Sequence, residues 1–120
     1  ARVALGTELP ALFANNQQPA DAMLAASRRI ADPLWHLPLF DDYDPHLDAG
    51  YAALSSTGPS GYGGAISAAL FLRRFAGTDT NWAHIDVMAW NLAARPGRPK
   101  GGEAMGLRAL FDYINRLAAE

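Results

Sequence analysis

The chain has 120 residues, 50% of them hydrophobic, and a formal net charge of −2, which allows one domain with a genuine core. A mildly acidic balance without a basic run argues against nucleic acid as a partner. Zero cysteines exclude disulfides and thiolate metal sites and fit a reducing compartment, and no apolar run approaches the ~20 residues a membrane span needs.

The N-terminal run Ala1-Arg-Val-Ala-Leu-Gly-Thr-Glu8 has no clear period and no signal-peptide layout. Leu9 to Asn15 is a short apolar stretch closed by Asn15-Asn16, and it predicts a strand. Pro10 is tolerable at the start of such a strand, though not in its middle. Pro19 to Ala31 predicts an amphipathic helix with Met23, Ile30 and the small Ala26 and Ser27 on one stripe, stopped by Asp32-Pro33. Trp35 to Phe40 predicts an extended segment that packs Trp35, Leu37 and Leu39 on one side. Asp41 to Asp48 is the most acidic run and predicts a solvated turn and helix start.

A glycine-rich loop, Ser55 to Gly64, runs into the most apolar segment of the chain. Between Ala65 and Ala76 only Ser67, Arg73 and Arg74 are polar, which predicts a helix buried on nearly every side. Gly63 and Gly64 at its start would let another backbone approach closely, and Gly77 suits a left-handed cap. Trp82 to Met88 predicts a buried strand, and Ala89 to Gly102 a long connection rich in Pro and Gly. On that connection Arg95, Arg98 and Lys100, the only lysine, form a small basic patch expected to be solvated. Glu103 to Ala118 predicts a helix whose stripe Leu107, Leu110, Phe111, Ile114 and Leu117 is buried, with Arg108, Asp112, Asn115 and Arg116 opposite. Helices alternating with strands make the fold class α/β.

Several patterns that could carry chemistry are incomplete. The acidic run lacks the central Gly and terminal Glu of a calcium loop. The Gly58–Gly64 loop resembles a phosphate cradle at a helix N-terminus but lacks a Gly-Lys-Ser/Thr ending. Gly58-Pro-Ser-Gly-Tyr62 puts Tyr62 where a nucleophile elbow needs glycine. His84 and Asp86 share one strand face, either as a catalytic or metal-supporting pair or as a structural one, and the structural reading is favoured. No partner can be assigned to His36 or His46.

A family resemblance runs through these same segments. Gly63-Gly-Ala-Ile-Ser-Ala-Ala-Leu-Phe-Leu-Arg-Arg-Phe75 followed by Trp82-Ala-His-Ile-Asp86 resembles the C-terminal signature of the leucyl (cytosol) aminopeptidase family. Trp35-His-Leu-Pro-Leu39, Ala4-Leu-Gly6 and Phe13-Ala-Asn15 are similar to further elements of that family, in the same order. The resemblance implies part of a mixed, mainly parallel sheet flanked by helices in a three-layer α/β/α arrangement. Residues 1–120 would be the C-terminal portion of a di-metal aminopeptidase catalytic domain, of a divergent bacterial branch. Such an enzyme hydrolyses N-terminal residues from peptides with two divalent ions, Zn or Mn, acting on a bound water.

The family's Asn-Thr-Asp-Ala-Glu-Gly-Arg run is absent, and one lysine cannot fill the two lysine roles the family uses. The resemblance therefore implies no catalytic residue and no metal ligand here, and an isolated chain that binds no metal and is inactive. It implies substrate-pocket positions at Met88, Asn91 and Thr57. This sequence departs from the family at both places, reading Asp86-Val-Met-Ala-Trp-Asn91 and Ser55-Ser-Thr-Gly-Pro-Ser60. The implied partners are a peptide substrate, the upstream part of the same domain and further copies in a hexamer, in the cytoplasm, without nucleic acid or membrane. The alternative reading is a self-standing, non-catalytic module that binds a small ligand or anion through the Gly58–Gly64 loop.

Overall fold

A computed structural model describes residues 1–48 and 62–120. The apolar run near the N-terminus forms β1 (Ala11–Ala14), and Ala11, Leu12 and Phe13 have no exposed surface. Their side chains alternate between two faces, as a strand dictates. Leu12 faces Ala20 and Met23 of α2 (Gln17–Arg29) and Ala109 of α4 (Leu107–Ala118). Ala11 and Phe13 face Ala69 of α3 (Gly64–Ala76), with Leu5 of the short α1 (Arg2–Leu5) beside them. Helices therefore cover both faces of the sheet, giving the three layers expected.

The sheet order is β2-β1-β3, with β2 at Trp35–His36 and β3 at Ala83–Asp86. β1 pairs parallel with β2 and antiparallel with β3, whose register sets Phe13 against His84 and Ala11 against Asp86, so the sheet is mixed. Asn15 locks the end of the antiparallel pair. Its Nδ2 donates to the Thr80 carbonyl at 2.9 Å, and its Oδ1 accepts from the Trp82 N–H at 2.9 Å. Asn16 caps α2 by accepting from the Gln18 N–H at 3.0 Å, so the helix starts two residues before Pro19. Ala31, in the left-handed region at φ 52°, turns the chain away just before Asp32-Pro33.

Several expectations are corrected, among them the buried strand over Trp82–Met88, since β3 has Ala83 exposed and its other three residues only half-buried. In the Trp35–Phe40 segment Leu37 and Leu39 pack against the Ala11/Phe13 cluster, but Trp35 sits on an edge strand and stays 57% exposed. α3 is buried along one side only. Ser67, Ala69 and Leu70 are covered while Phe75 is 69% exposed, because among the described residues α3 packs chiefly on one sheet face and one neighbouring segment.

That neighbour is the acidic run, a 3-10 helix over Asp41–Leu47, and its carboxylates are not simply solvated. Arg73 pairs with Asp41 at 2.6 Å, and Arg74 pairs with Asp44 at 2.6 Å while reaching Asp48 at 3.4 Å. The Arg74 hydrogen bond holds the Asp44 carboxyl below its ordinary range. The polar end of α3 thus fastens the segment that the apolar part of α3 packs beside.

Another correction concerns α4. Ala109, Leu110 and Tyr113 turn inward toward α2, whereas Leu107, Phe111, Ile114 and Leu117 are all more than half exposed. Polar contacts from far along the chain fix this rotation. Buried Asp32 accepts from the backbone N–H of Gly106 at 3.1 Å and of Ala109 at 3.0 Å, capping the helix start. Arg29 of α2 pairs with Asp112, whose carboxyl is lowered by that contact, and Arg116 joins it at 3.2 Å. Gly106 itself is at φ 84°, and a Cβ there would lie 3.4 Å from Leu34.

Replacing Asp32 with Ala strands two buried N–H groups, and the expected cost is about 2 kcal/mol in a urea titration. Asp32→Asn, which keeps one acceptor, should fall between. An Asp32→Ala curve that overlays the wild type would show that the cap does not hold α4.

The glycines at the start of α3 divide differently from the expectation of close packing at both. Among the described residues no atom lies within 4 Å of where a Gly64 Cβ would be, while Gly63 is left-handed at φ 65° and its Cβ would sit 3.2 Å from the Tyr43 ring. Gly64→Ala should be neutral or stabilising by up to ~1 kcal/mol, and Gly63→Ala should cost ~1–2 kcal/mol. Thermal melts of the two variants check the order.

Candidate functional site

Beyond β3 the chain continues through Val87 and Met88 to Ala89, which at φ 57° is one of two non-glycine residues in the left-handed region among those described. That turn starts a hairpin rather than the open connection predicted. β4 (Trp90–Asn91) pairs antiparallel with β5 (Gly101–Gly102). Arg95 and Arg98 exchange backbone hydrogen bonds of 2.8 Å around Pro96-Gly97, and Gly97 at φ 73° supplies the positive angle that such a Pro-Gly turn requires.

A cavity of about 240 Å³ lies beside the start of this hairpin. One stretch of its lining comes from the N-terminal segment, including Gly6, Thr7 and Pro10. The other comes from Asp86, Met88 and, after the hairpin, Met105. Two methionines in one lining give an apolar surface that can repack around differently shaped groups.

Of the three pocket positions named from sequence, Met88 lines this cavity and is half-buried. Asn91 is buried inside the hairpin, only 3% exposed, and does not line it. Its Nδ2 donates to the Pro99 carbonyl at 3.1 Å and to Glu103 Oε2 at 2.8 Å, and its Oδ1 accepts from Arg95 at 3.2 Å. Thr57 and most of the Gly58–Gly64 loop lie outside the described residues.

Sequence reasoning missed the network around Asn91. Arg95 also pairs with Glu8 at 3.2 Å, and Arg98 pairs with Glu103. The Glu103 N–H donates to the Ala89 carbonyl at 3.0 Å. The basic patch is therefore largely spent on internal ion pairs. Its one visible signal in the sequence was a Glu directly after a Pro/Gly-rich segment carrying two arginines.

His84 and Asp86 do lie on one strand face. His84 stacks on Phe13, with ring centroids 6.1 Å apart and planes 23° apart, which is a packing arrangement. Burial lowers its pKa from 6.5, and the nearby Asp86 charge opposes the shift. His46 stacks on Tyr43 at 5.5 Å. Among the described residues no three His, Asp or Glu side chains are grouped as metal ligands. These residues do not fit a two-metal centre, and no step of chemistry is derived through one. No helix among the described residues is long and apolar enough to cross a membrane.

A family model described as "Cytosol aminopeptidase family, catalytic domain" matches residues 1–111. The chain belongs to the cytosol aminopeptidase family. A probable cytosol aminopeptidase from Geobacter sp. (strain M21) is 40% identical over 116 residues, covering 95% of this chain and 23% of that protein. Among solved structures, a cytosol aminopeptidase from Coxiella burnetii superimposes with a TM-score of 0.91 at 50% identity over 96% of this chain and 25% of its own. The bottromycin maturation enzyme BotP in complex with Mn superimposes with a TM-score of 0.87 at 32% identity, over 98% of this chain and 26% of its own. The chain thus spans about a quarter of the length of the cytosol aminopeptidases it matches.

Because His84 is penalised when charged, it should titrate below 6.5 and be neutral at pH 7. A depressed folded-state pKa means that His84 contributes stability above the unfolded-state value and that this is lost as pH falls through the folded one. An NMR pH titration of the His84 ring checks this, and a midpoint above 6.5 would mean that the Asp86 charge outweighs burial.

Proposed function

We propose that residues 1–120 form the C-terminal portion of the catalytic domain of a metal-dependent aminopeptidase that removes N-terminal residues from peptides. The observation that carries this reading is the cavity lined by Met88 and Met105, in a chain of the cytosol aminopeptidase family. Its size suits a single side chain, and its mixed lining suits an apolar side chain whose attached backbone is polar. Met88 contacts the substrate's N-terminal side chain, Asn91 shapes the turn behind it, and Thr57 belongs to the leaving-residue side. On this reading the metal ligands, for two Zn or Mn ions, come from polypeptide outside the described residues. BotP in complex with Mn supports a divalent ion of that kind. The enzyme works in the cytoplasm as a homo-oligomer, a hexamer, and the exposed apolar face of α4 is available for contacts with other polypeptide.

The full-length protein should release N-terminal residues from aminoacyl-arylamides when supplied with Mn or Zn, and the 120-residue chain alone should not. Met88→Ala in the full-length protein should open the cavity to bulkier residues. One pocket-sized change in apolar contact is worth ~1–3 kcal/mol, so the Phe-to-Leu preference in kcat/KM should shift by roughly tenfold to a few hundredfold. If Met88 is ordinary core, the same change costs about 2–5 kcal/mol in stability and leaves the ranking alone. A lowered melting temperature with an unchanged ranking would overturn the pocket assignment.

A further inference from the structure

The cavity is lined by two stretches of chain that are far apart in sequence, and its width depends on what holds them together. Glu8 lies between Thr7 and Pro10 in the first stretch, and Arg95 of the hairpin pairs with it at 3.2 Å. Arg95 also donates to Asn91, and Asn91 donates to Glu103 at 2.8 Å. Glu103 is two residues before Met105, and its own N–H donates to the carbonyl of Ala89, the residue after Met88. One connected set of polar contacts therefore touches the chain next to each of the lining residues Thr7, Met88 and Met105.

The set is well made. Asn91 uses both Nδ2 hydrogens and its Oδ1, and Glu103 uses both carboxylate oxygens, one on Asn91 and one on Arg98. The Glu103 side chain is 10% exposed, and Asn91 is buried. A fully satisfied polar network with its centre out of water has one low-energy arrangement, because any displacement leaves a desolvated donor or acceptor unpaired. The left-handed turn at Ala89 lies inside this set, so the direction in which Met88 leaves the strand is fixed by it.

We propose that the Glu8–Arg95–Asn91–Glu103 chain of contacts sets the spacing of the cavity's two lining stretches, making Glu103 and Arg95 positioning residues for selection of the substrate's N-terminal side chain. This inference rests on the reading of the Met88 cavity as the substrate pocket. Neither residue touches substrate. Loss of Glu103 frees the segment leading to Met105 from Asn91 and Arg98 of the hairpin, and loss of the Arg95 charge frees the hairpin from Glu8, so the two changes should alter selection in the same sense.

The test uses the full-length enzyme with Ala-, Leu- and Phe-arylamides, comparing Glu103→Ala, Glu103→Gln, Arg95→Met and Met88→Ala by kcat, KM and thermal melt. Glu103→Ala and Arg95→Met should each shift the Phe-to-Leu preference by about tenfold, carried by KM more than by kcat. Glu103→Gln keeps an acceptor for Asn91 and should shift it less than about threefold, a rescue that a merely destabilising role would not produce. If Glu103→Ala does not fold, Arg95→Met, at a half-exposed site, decides the matter alone. Should Met88→Ala change the ranking while Glu103→Ala and Arg95→Met leave it unchanged, the positioning role is wrong and the pocket reading stands. Should Met88→Ala leave the ranking unchanged as well, the pocket reading itself is wrong and the positioning role falls with it.

Discussion

Everything in this chain leans on a strand of four residues. β1 has both faces buried and both edges paired, so each of its side chains decides where a different layer goes. Leu12 selects the side on which α2 and α4 pack, and Phe13 the side on which α3 packs. A one-residue slip would exchange those faces and unmake both clusters at once. The Asn15 contacts to Thr80 and Trp82 guard against that slip, because they fix where the antiparallel pairing ends.

Much of this frame was legible in the sequence, for simple reasons. β1 is an apolar run closed by Asn15-Asn16, and α2 an amphipathic stripe opened by an Asn cap, so local chemistry and tertiary packing agree there. α3 and β3 were found in the right places but are less buried than their apolar content suggested. α4 shows where that logic stops. Its strongest stripe, Leu107, Phe111 and Ile114, faces away from the core, and Ala109 with Tyr113 faces in. Periodicity finds an apolar face but cannot say which neighbour it meets. Here the rotation is set by Asp32 and Arg29, 74 to 83 residues away, and pairings over such distances leave no local trace. The Arg73 and Arg74 pairs with the acidic run were invisible for the same reason.

The candidate site divides along the same line. Met88, a position that the resemblance implied, lines the cavity that follows β3. Asn91 came from the resemblance too, and an amide side chain does not advertise whether it faces a ligand or its own backbone. The structure spends both its Nδ2 hydrogens and its Oδ1 on contacts within the chain, which leaves Asn91 inside the hairpin and off the cavity lining.

Two further observations concern surface and polar groups that the described residues leave unsatisfied. Apolar side chains on α3, α4 and the hairpin, among them Phe75, Trp90, Leu92 and Phe111, keep roughly half or more of their surface in solvent. Among the described residues the buried Trp82 indole N–H also finds no acceptor. Exposed rings and a desolvated, unpaired donor are both unfavourable, and both are relieved by the same event, coverage by further polypeptide that supplies apolar area and a carbonyl. On the reading proposed above, that polypeptide also carries the metal ligands. The division is then physical as well as chemical, since one part would provide the charged centre and this part a pocket of mixed lining beside it. A pocket that is stiff by virtue of its own hydrogen bonds does not need the metal site to shape it. On the same reading, selection of the side chain and activation of the water would be separable, the first altered through residues such as Met88 and Glu103 without disturbing the second.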